Sequence, residues 1–130
     1  MTWTQWPSLI TWLTIVLLVA LAYDVGRARA RYGVRVPATS GNEQFECVYR
    51  AHMNTLENAV VFLPGLWLAA WYWQPGWASA CGAVWLIGRI WYAVGYKRDP
   101  KARSHGFTLS SVASVVLMVG SAIGWWRTFG

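Results

Sequence analysis

Charge is what this 130-residue chain has least of: 5 acidic residues stand against 11 basic ones. None of either sign occurs from Met1 to Tyr23, from Asn58 to Gly88 or from Gly106 to Trp126. Uncharged apolar runs of that length exceed what a soluble core of this size can use, so they exclude an ordinary water-soluble domain and predict membrane-spanning helices. Cysteine is equally scarce. Cys47 and Cys81 are expected near opposite faces of a bilayer and lack metal-ligand spacing. That excludes an intrachain disulfide, a zinc site and a redox pair, and leaves two small apolar residues. The chain also lacks a Gly-rich phosphate loop, a nucleophile elbow and any internal repeat. The first apolar run has no Lys or Arg before it, and its arginines come after it. A cleavable signal is therefore not expected, although Ala20-Leu21-Ala22 has the small-residue character of a cleavage site.

What is present is a single domain over residues 1–130 with four helical spans, expected at about 8–30, 45–74, 76–96 and 106–127. The middle apolar stretch is divided by the turn signal Gln74-Pro75-Gly76. Basic residues cluster in two connections: Arg27, Arg29, Arg31 and Arg35 in the first, Lys97, Arg98, Lys101 and Arg103 in the third. Both loops are expected to be cytoplasmic, with both termini on the opposite side. Trp3, Trp6, Trp71, Trp73, Trp77, Trp125 and Trp126 map to that opposite face, as an interfacial aromatic belt requires. The net charge of +6 lies mostly in the topology-setting loops. It points to anionic lipid headgroups rather than to nucleic acid.

The second span departs from this apolar pattern. At about 100° per residue, Arg50, Asn54 and Glu57 share an arc of roughly 60°, so one stripe of a greasy helix holds a cation, an amide and an anion. Ionisable groups are costly against lipid, and the stripe is expected to face a cavity or a partner helix. In the third span Arg89, Tyr92 and Tyr96 share a similar arc, with Arg89 about 18 Å below Trp77. A guanidinium at that depth calls for a carboxylate, and Glu57 is the candidate at similar depth. Arg89 then serves either as half of a register-setting ion pair or as a ligand contact. Small residues Ser110, Ser114, Gly120, Ser121 and Gly124 in the fourth span read as close helix packing. Pro64 predicts a kink in the second.

These residues resemble a known family, the membrane-associated proteins in eicosanoid and glutathione metabolism (MAPEG). The segment from Glu46 to Glu57 is similar to the family's second-helix signature Arg-Ala-x-x-Asn-x-x-Glu, here Arg50, Ala51, Asn54 and Glu57. Gly88-Arg89-Ile90-Trp91-Tyr92 with Tyr96 resembles the third-helix segment. The resemblance implies a homotrimer of four-helix subunits binding glutathione near the cytoplasmic face between neighbouring subunits. It implies glutathione contacts from Arg29, Arg50, Asn54, Glu57, Tyr92 and Tyr96, with Arg103 beside the thiol and Ser104 adding a hydroxyl. No metal is implied. The chain departs from the pattern at Asn58, where several members have tyrosine. It departs again at Ala30, where leukotriene-synthase-like members have an arginine, which argues against leukotriene synthesis.

The expected function is therefore a glutathione transferase, or glutathione-dependent peroxidase, acting on hydrophobic electrophiles dissolved in the bilayer. A guanidinium held near the sulfur favours the reactive thiolate over the thiol. Two alternatives use the same residues differently. One is a non-catalytic member that binds lipid or a partner protein; the other is a small transporter using Glu57 as a proton or cation site, which the nearby Arg50 and Arg89 disfavour.

Overall fold

The computed structural model describes residues 4–130 and contains four long helices and one short 3₁₀ turn. Helix α1 spans Gln5–Tyr32, α2 Glu43–Tyr72, α3 Pro75–Arg98 and α4 Ser104–Arg127, with the turn at Pro100–Arg103 leading into α4. Their ends reflect local chemistry. The Asn42 side chain accepts the Phe45 N–H at 2.9 Å and starts α2 ahead of its apolar run. Gln74 does the same for Trp77, and Pro75 fits the first turn of α3, where its missing N–H costs nothing. Gly33, in the left-handed region at φ 68°, ends α1 and returns its N–H to the Arg29 carbonyl. Helix α2 runs on as one element through Pro64.

Helices α2 and α3 form the centre of the bundle; α1 and α4 each pack against both. Between them Phe62 and Trp85 stack with ring centres 3.9 Å apart, in a core that also holds fully buried Leu66 and Leu117. Alanine fills most of the remaining core, which lets the backbones approach and suits association by van der Waals packing. The outward faces are apolar as well: Trp12, Val19, Ile87 and Val115 are all well exposed. By length and composition, α1 and the stretch Pro100–Arg127 are long and apolar enough to cross a membrane. Helices α2 and α3 dilute their apolar runs with tryptophan, tyrosine and glycine.

The bundle has two unlike ends. Trp6, Trp71, Trp73, Trp77, Trp125 and Trp126 are all exposed at one of them, contributed by the start of α1, the end of α2, the start of α3 and the end of α4. Trp3 lies outside the described residues. The basic connections gather at the opposite end, where Lys97 of α3 pairs with Asp24 of α1.

Candidate functional site

The basic end is shaped by glycines that permit backbone contact between α3 and the chain immediately after it. A Cβ on Gly88 would lie 2.8 Å from the Ser110 nitrogen, and one on Gly95 would lie 2.6 Å from the Ala102 carbonyl oxygen. One on Gly106 would collide with the backbone of Tyr92 and Gly88. Only hydrogen fits at these crossings, so the 3₁₀ turn and the first turn of α4 lie flat against α3. Arg103 and Ser104 are thereby carried to the side of Tyr92 and Tyr96.

A cleft of about 310 Å³ opens there, lined by Asn54 of α2, Tyr92 of α3, and Arg103, Ser104, Phe107 and Thr108. The Arg103 guanidinium stands 5.3 Å from the centre of the Tyr96 ring and donates to the Tyr96 hydroxyl at 3.3 Å. Tyr96 meets Tyr92 edge-on at 5.5 Å, and the Tyr92 ring in turn lies 4.1 Å from the Arg89 guanidinium carbon. Two arginines thus bracket two tyrosines along one face. The Ser104 hydroxyl is held by the Lys101 carbonyl at 3.3 Å.

Arg89 is fully buried, and its partners differ from the expected one. Its Nη2 donates to Asn54 Oδ1 at 2.8 Å and to Thr55 Oγ1 at 2.9 Å; Nε also reaches Thr55 at 3.2 Å, and Nη1 reaches Ser110 Oγ at 3.2 Å. Among the described residues no carboxylate pairs with it. The expected Glu57 pair fails for a geometric reason. Thr55 faces the bundle interior, and two residues further along a helix is a rotation of about 200°, which turns Glu57 outward. Glu57 and Arg50 are exposed on the outer face of the bundle. A desolvated guanidinium is therefore stabilised by neutral oxygens and one aromatic face, with no carboxylate paired to it among the described residues.

The residues expected to act together fall into two sets. Asn54, Tyr92, Arg103 and Ser104 converge on the cleft, with Tyr96 joined through Arg103. Arg29, Arg50 and Glu57 are not among its lining residues. Arg29 instead donates to the Ala38 carbonyl at 2.7 Å and lies 4.9 Å from the Phe45 ring centre, near the start of α2. Sequence reasoning missed Thr55 and Ser110 as holders of Arg89. Ser110 belongs to the small-residue series of α4, and it does more than pack. Its hydroxyl relays from Arg89 to the Phe107 carbonyl at 3.0 Å.

Comparison with known proteins agrees with the residue pattern. An uncharacterized protein of Synechocystis sp. is 53% identical over 118 residues, covering 91% of this chain and 86% of that protein. Human microsomal glutathione S-transferase 2 is 39% identical over 103 residues, covering 79% of this chain and 70% of its own length. Guinea pig (Cavia porcellus) leukotriene C4 synthase is 36% identical over 115 residues, covering 88% and 77% respectively. The sequence profile of the MAPEG family matches residues 8–123, nearly the full run of the four helices, and the chain belongs to that family.

Proposed function

We propose that the protein is a membrane-bound glutathione transferase that joins the glutathione thiolate to hydrophobic electrophiles drawn from the bilayer. The observation that carries this reading is the convergence of Arg103, Ser104, Asn54 and Tyr92 on one cleft at the basic end of the bundle. Similarity to a microsomal glutathione S-transferase supports it. All four helices cross the membrane in this reading, with the basic loops cytoplasmic and both termini opposite.

Glutathione presents two carboxylates, an ammonium and a thiol. Guanidinium forks suit the carboxylates, and Glu57 suits the ammonium. Arg50 and Glu57 face out of the protomer, so they reach a ligand only where a neighbouring subunit closes over it. A homotrimer with sites between subunits meets that condition, and Arg29 then contributes from the edge of the site. Arg103 is the catalytic cation. An unperturbed thiol near pKa 8.5 is mostly protonated at neutral pH, and a guanidinium at the sulfur shifts it toward thiolate. The positive end of the α4 dipole, beginning at Ser104, acts in the same direction. Ser104 turns its hydroxyl from the Lys101 carbonyl to the sulfur when the peptide binds. The thiolate then attacks the electrophilic carbon; a carbon–sulfur bond forms and the leaving group departs with its electron pair. Asn54 and Tyr92 position the peptide, and Arg89 holds Asn54 in place from behind.

The test is an ultraviolet titration of purified protein in detergent with glutathione, followed by a conjugation assay with an aryl halide. Thiolate absorbance that saturates, and is lost in Arg103→Ala, is the expected result. Glutathione that binds without forming thiolate or product would instead identify a non-catalytic member of the family.

A further inference from the structure

The proposed glutathione cleft occupies one flank of the α2–α3 pair, and the other flank carries a second cavity at the same end of the bundle. It measures about 350 Å³ and lies between α1, α2 and α3. Its walls include Asp24, Arg27, Arg31 and Tyr32 of α1, Gln44 of α2 and Lys97 of α3. Asp24 and Lys97 satisfy each other as an ion pair. Arg27 and Arg31 have no carboxylate partner among the described residues. Their neighbours are aromatic: the Arg27 guanidinium carbon is 6.0 Å from the Tyr23 ring centre, and that of Arg31 is 5.5 Å from Tyr32.

Two guanidiniums four residues apart on one helix repel each other across a polar hollow. An anion with several oxygens relieves that repulsion, because each planar fork can take two of them. Gln44 stands in the first turn of α2, where the helix dipole is positive, although Glu43 and Glu46 in that turn offset part of the field. The cavity opens among the basic connections, the level of phospholipid headgroups in the proposed orientation. Basic hollows between membrane helices are a recognised way of holding anionic lipid heads.

We propose that this cavity binds a phosphate group, with Arg27 and Arg31 as its ligands, either as the headgroup of an anionic phospholipid or as a soluble phosphate ester. The inference rests on the proposed membrane orientation but not on glutathione binding, since no residue is shared between the two cavities.

Native mass spectrometry of the full-length protein in neutral detergent, with equal amounts of phosphatidylglycerol and phosphatidylcholine, tests it. Retention of phosphatidylglycerol in about tenfold excess is expected, since each arginine near an anionic headgroup contributes severalfold. That excess should disappear in Arg27→Gln/Arg31→Gln. It should persist in Arg35→Gln/Arg98→Gln, which removes the same charge outside the cavity. Asp24→Asn keeps both arginines and adds positive charge, so it should retain more phosphatidylglycerol than the wild type, with helicity by circular dichroism as the folding check. Displacement of the lipid by glycerol phosphate would make a soluble ester sufficient; persistence of the lipid against it would assign the site to phospholipid. Equal retention of the two lipids by the wild type, or equal loss in both double variants, would overturn the proposal.

Discussion

The two cavities at the basic end are built from similar side chains and held by different means. The cleft beside α4 is fixed by backbone contact: Gly88, Gly95 and Gly106 bring α4 and its leading turn against α3, and Arg103 rests on Tyr96. The cavity beside α1 is lined by long arginines whose contacts are aromatic faces at the outer limit of cation–π range. The difference ties the role proposed for each arginine to what restrains it. In the proposed roles, a guanidinium that also bonds a neighbouring hydroxyl serves a single sulfur atom, whereas a pair held only against aromatic faces suits a multi-oxygen anion.

The contrast can be broken most severely at the helix crossing. Gly106→Val would drive a branched side chain into the backbone of Tyr92 and Gly88. It should lower stability by about 3 kcal/mol or more, measured as thermal melting in detergent. Gly124→Ala meets the Tyr72 carbonyl at the tryptophan-rich end and should also destabilise, while the folded fraction keeps its glutathione affinity. A loss of affinity there would show that the two ends are coupled. Next in size, Arg103→Ala should reduce conjugation turnover by about 100-fold with melting unchanged, in line with removal of one electrostatic group from a reacting centre. If turnover survives, the anchored arginine is not the thiolate's partner.

Smaller changes refine the picture. Asn54→Ala should weaken glutathione binding by about tenfold in a calorimetric titration, the equivalent of one charge-assisted hydrogen bond. Glu57→Gln should weaken it comparably through loss of the ammonium partner. Smallest of all, Ser110→Ala removes one of the oxygens that hold Arg89 and should cost about 1 kcal/mol in melting experiments, with glutathione affinity little altered. A larger loss of affinity than of stability would promote Arg89 from a support to a ligand contact.

Much of this architecture is legible along the chain. The expected spans fall within three residues of the helices at each end, and the capping side chains Asn42 and Gln74 explain why α2 and α3 start slightly earlier than expected. The stripe Arg50, Asn54 and Glu57 is visible from periodicity, as is the stripe Arg89, Tyr92 and Tyr96. Partner choice across the bundle is less accessible. Depth alone makes Glu57 the natural counter-ion of Arg89, yet depth says nothing about how α2 is rotated against α3. The interior instead presents Thr55, a residue with no sequence signal beyond its place in a buried register.

Composition and spacing were enough to establish the helical class, the apolar exterior and the gathering of cations toward one end, and resemblance to known motifs supplied the family, because each depends on residues close together in the chain. Which polar groups meet was settled by the way the helices turn and touch. Gly106 had to lie on Tyr92 before Arg103 could stand beside Tyr96, and α2 had to present Thr55 rather than Glu57 to the interior. A side chain's direction changes by about 100° with every residue of a helix, so only the packed bundle selects which groups share a cavity.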